Sequence, residues 1–141
     1  MASPVEAQVI LCDAAVADPS GKVHMLGAGW SVTSTPTAPQ AVAVLMKIPW
    51  DRANQKLPMA LRLLDADGQP VSLNGPDGSQ VIESRGDIEV GRPPGLMHGS
   101  PIDASFALNV QSMPLAPGRY EWRLELADQT FGASFEVRPG R

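Results

Sequence analysis

The stretch that decides the fold is Leu115-Ala-Pro-Gly-Arg-Tyr-Glu-Trp-Arg-Leu-Glu-Leu-Ala-Asp-Gln-Thr-Phe-Gly-Ala-Ser-Phe-Glu-Val137. It reads as a turn, a strand, a tight connection and a second strand. Tyr120, Trp122, Leu124 and Leu126 fall on one face; Glu121, Arg123 and Glu125 fall on the other. Side chains alternate across a strand, so this pattern predicts a sheet with one buried and one wet face. The Leu115-to-Tyr120 segment also carries a tyrosine-corner pattern, in which the Tyr120 hydroxyl bonds a nearby backbone carbonyl and braces an arch between two sheets.

Working outward, the same period of two recurs. Residues 6–12, Lys22 to Thr33, 41–48, Met59 to Leu64, Gln69 to Leu73, Ser79 to Val90 and 102–110 read as strands. Gly27 and Gly29 are expected to mark a bulge or bend within the second of these. Turn chemistry separates the runs: Asp18-Pro-Ser-Gly21, Asp65-Ala-Asp-Gly68 and Asn74-Gly-Pro-Asp-Gly78. A break is expected at Gly86. Pro49 to Gln55 interrupts the β pattern and reads as a helical turn with Asp51 as N-cap. Gly91-Arg-Pro-Pro-Gly-Leu-Met-His-Gly99 reads as a long irregular loop. No longer helix-period segment occurs and no internal repeat is visible. The expected fold is all-β: a single Greek-key β-sandwich of eight to nine short strands, immunoglobulin-like, spanning 1–141 as one domain.

Bulk composition fits this. The chain has 141 residues, 43% of them hydrophobic, with 14 Pro and 13 Gly to punctuate turns. A domain of this length buries roughly 68–70% of its unfolded surface, enough for a core without staples. The formal net charge is −4 and the 11 Lys and Arg are scattered. Without a basic stripe, nucleic acid and anionic membrane surfaces are poor partners, because charge neutralisation supplies most of that affinity. The lone cysteine, Cys12, cannot form an internal disulfide, the N-terminus lacks a signal-peptide pattern, and no apolar run is long enough to span a bilayer. The expected location is the cytoplasm.

Several segments taken in order carry a resemblance. They are Cys12-Asp-Ala-Ala-Val-Ala with Lys22-Val-His-Met-Leu-Gly-Ala-Gly-Trp30; Ile48-Pro-Trp-Asp-Arg-Ala-Asn54; Leu64-Asp-Ala-Asp-Gly-Gln-Pro-Val71; Val90-Gly-Arg-Pro-Pro-Gly-Leu96; and Leu115-Ala-Pro-Gly-Arg-Tyr-Glu-Trp122. The set resembles a family of small uncharacterised bacterial proteins, mainly actinobacterial, known only as a domain of unknown function. That resemblance implies no activity, cofactor or catalytic residue.

Candidate chemistry is sparse. Asp13, Asp18, Asp65, Asp67, Asp77 and Asp87 sit in or near turns. The Asp65-Ala-Asp-Gly68 stretch opens like a calcium loop but lacks the later ligands, so a hairpin turn is the preferred reading. A zinc site needs three or four ligands and only Cys12, His24 and His98 are soft candidates, with His24 near Cys12 if the first two strands pair, so metal binding is disfavoured. No nucleophile elbow, phosphate loop or dinucleotide fingerprint occurs. Cys12 lies in an apolar run, which favours a buried inert thiol. No catalytic residue, metal or cofactor is assigned.

The expected function is therefore a non-catalytic interaction or assembly module whose partner is a second copy, a dimer being the simplest case, or another protein. The first three strands carry more apolar residues than one buried face needs, with Ile10, Cys12 and Leu45 in the surplus, and self-association through that surplus is the expectation. The 91–99 loop supplies further candidates in Arg92, Leu96, Met97 and His98, with Trp50 beside them. The structural alternatives are that Leu96 packs inward and Trp50 fills the core. Two other functions remain open: a small-ligand or carbohydrate-binding sandwich using the loop, and a hydrolase using His24 or His98.

Overall fold

The computed structural model describes residues 3–76 and 78–140. The described chain is all-β apart from one 3-10 turn at Trp50–Arg52. Twelve strands follow in order: β1 (Glu6–Cys12), β2 (Ala14–Ala17), β3 (Val23–Leu26), β4 (Val32–Ser34), β5 (Gln40–Ile48), β6 (Leu57–Leu64), β7 (Ser72–Gly75), β8 (Gly78–Val81), β9 (Glu83–Ile88), β10 (Ile102–Val110), β11 (Gly118–Leu126) and β12 (Gln129–Arg138). They form a three-stranded sheet, β1-β5-β10, and a five-stranded sheet, β4-β12-β11-β6-β9, with two hairpins, β2-β3 and β7-β8.

The two larger sheets share one core. From the five-stranded sheet come Leu61, Leu63, Trp122, Leu124, Leu126, Phe135 and Val137; from the three-stranded sheet come Leu11, Val42, Val44, Met46 and Ile48. The apolar face read from the final hairpin is this core: Trp122, Leu124 and Leu126 are fully buried. A polar link crosses between the sheets at depth, where the Trp122 indole N–H donates to Gln40 Oε1 at 3.1 Å. The tyrosine corner forms as expected, with the Tyr120 hydroxyl donating to the Ala116 carbonyl at 2.7 Å.

Strand β5 reads as apolar on both faces, and the structure supplies the reason. It is the middle strand of its sheet, pairing with β1 and β10. Its outer face carries Ala41, Ala43 and Leu45. The β2-β3 hairpin folds over that face, and Cys12, Ala15, Ala41 and Ala43 form a second small core against Ile10, Val23, Met25 and Ala107. Two polar clamps hold the hairpin down. The Asn109 side chain accepts from Ala15 N–H at 3.2 Å and donates to the Ala15 carbonyl at 2.7 Å. Ser105 Oγ donates to the Gly21 carbonyl at 2.6 Å.

Several local expectations are corrected. The 22–33 segment is not one strand: it divides into β3 and β4, which belong to different sheets. Gly27 and Gly29 take positive φ at the division, where ordinary L residues are disfavoured. Ala14–Ala17 is a strand of its own. The break after β8 falls at Ile82, not Gly86, which lies within β9. Val71 and Ile82 exchange backbone bonds with Leu63 and with each other, so the chain turns there to continue the sheet. Gln69 to Leu73 does pair back onto the end of β6, through Asp65 N–H on the Gln69 carbonyl, the Leu64–Pro70 bridge and Val71 N–H on the Leu63 carbonyl, but its last two residues belong to β7. Asp51 is not an N-cap; Pro49 occupies that place, and Asp51 instead accepts bonds from Ser3. Asp77, part of a predicted turn, lies outside the described residues.

Candidate functional site

Trp50 is placed by the end of β5. Pro49 cannot donate to a ladder and closes the strand. The chain then makes one tight turn, with Arg52 N–H on the Pro49 carbonyl at 2.9 Å. Asn54 follows with φ of 61°, a left-handed conformation that asparagine tolerates. Its N–H donates to the Val90 carbonyl at 2.7 Å, tying this segment to the start of the 91–99 loop.

The loop is two consecutive tight turns. Leu96 N–H bonds the Pro93 carbonyl at 3.2 Å, and Ser100 N–H bonds the Met97 carbonyl at 3.1 Å. Gly95 and Gly99, each third in its turn, take φ of 83° and 85°. A positive φ at that position is the type II turn, which requires glycine. Met97 and His98 are thereby held on a hydrogen-bonded scaffold.

These segments bring three of the sequence candidates together. The Arg92 guanidinium lies 4.2 Å from the Trp50 ring centroid, a cation–π distance. Its Nη2 also donates to the Trp50 carbonyl at 2.8 Å. The His98 ring lies against Trp50 with centroids 4.9 Å apart and planes tilted by 60°. Trp50 itself is half-buried, while Arg92 and His98 are exposed. Met97, on the same loop, is 78% exposed, the highest exposure of any large apolar side chain among the described residues. Leu96 turns the other way and packs against the main core.

Ile10 and Leu45 lie elsewhere, on the outer face of the three-stranded sheet. Both are half-buried. Ile10 packs into the small core beneath the hairpin. Leu45 floors a groove of about 640 Å3 between the hairpin turn and the sheet, bordered by Gln8, Lys22, Lys47 and Asp103. The surplus apolar face is thus covered in large part by the chain's own hairpin.

The histidines do not assemble a nucleophile. His24 Nε2 meets Asp18 Oδ2 at 2.8 Å, and Ser20 Oγ donates to Asp18 Oδ1 at 2.5 Å. The carboxylate sits between serine and imidazole, whereas a triad needs the imidazole in the middle. Hydrogen bonds from Ser20 and then His24 hold the Asp18 carboxyl far below the usual carboxylate range. The cluster closes the β2-β3 turn: Ser20 and Lys22 backbone N–H groups bond the same Asp18 oxygen. His98 contacts Trp50 and has no acid or hydroxyl partner among the described residues. Burial, followed by the nearby Asp13 charge, pushes the Cys12 thiol up, away from the reactive thiolate. Asp65 spends its Oδ1 on the Asp67 and Gln69 N–H groups of its own turn. No group of three or more potential metal ligands occurs among the described residues. Likewise no described helix is long and apolar enough to cross a membrane.

What sequence reading missed is the pair of clamps, Ser105 and Asn109. Both alternate with apolar residues on β10 and read as ordinary wet-face positions; only the three-dimensional path of the hairpin gives them partners. No family model matches the chain, and no curated protein matches it, so the site rests on its own geometry.

Proposed function

We propose that the protein is a non-catalytic interaction module that binds another protein through the 91–99 loop and the Trp50 side chain beneath it. The observation that carries this is the exposed Met97 beside a preorganised Arg92–Trp50–His98 stack. Trp and Arg are the residues most enriched at binding hot spots, and Met and aromatic residues are enriched at interfaces. Holding Met97 and His98 on a hydrogen-bonded turn, and Arg92 on the Trp50 ring and carbonyl, lowers the ordering entropy that binding would otherwise cost. The β scaffold is read here as a Greek-key β-sandwich of immunoglobulin-like kind. The tyrosine corner and the crossings from one large sheet to the other between β5 and β6 and between β10 and β11 support that reading.

The test is a comparative capture. Wild-type protein and a Met97→Asp, Arg92→Ala double variant are immobilised and exposed to lysate of the cell that makes the chain. Proteins retained by wild type and lost with the double variant are the expected result. Identical retention by both refutes the loop as the binding surface.

A further inference from the structure

Strand β10 pairs with β5 on one side and, among the described residues, with no strand on the other; the β2-β3 hairpin touches it through the Ser105 and Asn109 side chains. The direction of its free backbone groups follows from the register of its neighbours. Gly29 N–H donates to the Leu11 carbonyl, so Leu11 points its backbone away from β5. Leu11 stands opposite Val42, so Val42 directs its own groups to the other side, towards β10 and its partner Leu108. Backbone direction alternates along an antiparallel strand. The even-numbered residues of β10 therefore bond β5, and Asp103, Ser105, Ala107 and Asn109 point their N–H and C=O groups outward. None of those groups has a backbone partner among the described residues.

The other edges are blunted. Strand β4 is three residues long. Strand β9 carries Glu83, Arg85 and Asp87. On β1 the outward Leu11 carbonyl is taken by Gly29, and the strand packs alongside β12. Short edges, charges and covering segments are how proteins prevent stray pairing. Strand β10 is nine residues long and carries one charge, Asp103. Its core-side residues Phe106, Leu108 and Val110 are only half-buried, whereas Val42 and Val44 on the adjoining strand are fully buried. Beyond its C-terminal half the edge opens onto a trough of about 460 Å3 whose lining mixes apolar Leu73, Val81 and Val110 with polar Asn74, Gln80 and Glu83.

We infer that two copies of the chain pair through β10, antiparallel about a two-fold axis at Phe106. The edge is self-complementary in that register. Ser105 faces Ala107 of the second copy and Asp103 faces Asn109, which pairs outward-pointing residues with outward-pointing residues and sets no like charges opposite. On the core side Phe106 meets Phe106, Ala104 meets Leu108, and Ile102 meets Val110 at the mouth of the trough, so every contact there is apolar. The two three-stranded sheets become one continuous sheet, and the contact is isologous, as a closed dimer requires. This surface is separate from the 91–99 loop, so either can fail without the other.

The test combines mass, amide exchange and a cross-link. Light scattering across the micromolar range is expected to show a dimer at the upper end. Amides of Asp103, Ser105, Ala107 and Asn109 gain protection as concentration rises, while those of Ala104, Phe106 and Leu108 are protected throughout. In a Cys12→Ala background, Phe106→Cys is expected to oxidise to a covalent dimer, because residues facing across a non-hydrogen-bonded pair have Cα atoms about 4.5 Å apart, within disulfide range. Ala107→Cys, off the axis, links far less. A single-chain mass throughout overturns the proposal. So does a dimer in which the four outward amides exchange freely, since that dimer uses another surface; this exchange readout is made on the wild type and holds if the cysteine variants misfold.

Discussion

Replacing Asn109 with Ala removes the clamp that holds the β2-β3 hairpin over the outer sheet face. Two hydrogen bonds are lost, to the N–H and the carbonyl of Ala15. Each is worth roughly 0.5–1.5 kcal/mol net, so about 2 kcal/mol in total. Ala15 is only 7% exposed, which limits compensation by water. The hairpin has four residues in each strand, too little to persist alone once undocked. Cys12, fully buried beneath it, reports the opening directly. In dilute native solution the wild-type thiol is expected to react very slowly with an aromatic disulfide reagent. Asn109→Ala raises the labelling rate by roughly 30-fold, the factor that about 2 kcal/mol gives when opening is a fast pre-equilibrium. Asn109→Asp goes further although it is nearly isosteric. It keeps an acceptor for Ala15 N–H but sets a second carboxylate oxygen against the Ala15 carbonyl. Rapid labelling of native wild type, or equal rates in wild type and Asn109→Ala, would refute the reasoning that this hairpin seals the surplus apolar face.

Other expectations follow from single contacts. Tyr120→Phe removes the corner bond to Ala116 and lowers unfolding free energy by about 1 kcal/mol in urea melts, with an unchanged denaturant slope. Trp122→Ala empties the centre of the shared core and costs roughly 3–5 kcal/mol, a large share of a domain's stability, so chemical denaturation shifts far to lower urea. Asp18 is depressed in the folded state by its Ser20 and His24 bonds. Its ionised form therefore steadies the hairpin turn at every pH above the ordinary Asp value of about 3.9, and that contribution is lost as pH falls through the lower folded value. An NMR titration is expected to find the Asp18 carboxyl still ionised where exposed aspartates have protonated, and Asp18→Asn to remove this acid dependence.

The parts of the fold legible in the sequence are those set by local alternation. The β11-β12 hairpin and β10 each show a period of two, β5 stands out as a short run apolar on both faces, and the Pro-Gly-Arg-Tyr run carries its own corner geometry. Less legible was anything decided by non-local partners. Ala14 to Ala17 is too short and too small-sided to stand out, yet it becomes a strand because β3 pairs with it and Asn109 bonds its backbone. The apolar outer face of β5 was visible, but its covering was not: the same pattern serves a subunit interface or an internal lid, and only the return of residues 14–26 decides between them. Gly86 carries no break because an edge strand tolerates glycine, and the kink moved to Ile82, where the chain passes from β8 to β9. At the site, Trp50 and Arg92 are candidates by residue type. Their stacking depends on the bond between Asn54 and Val90, which no local pattern announces.

In the proposed role this scaffold offers its 91–99 loop, rather than its N-terminal strands, to another protein. The most direct measurement is site-specific photo-cross-linking in the cells that make the chain, with a benzophenone amino acid placed at position 97 and, separately, at position 16 on the exposed face of the hairpin. Val16 is 59% exposed and Met97 78%, so both probes reach solvent. A discrete protein adduct from position 97 and none from position 16 is the predicted result. No adduct from 97, or the same adducts from both positions, would contradict it.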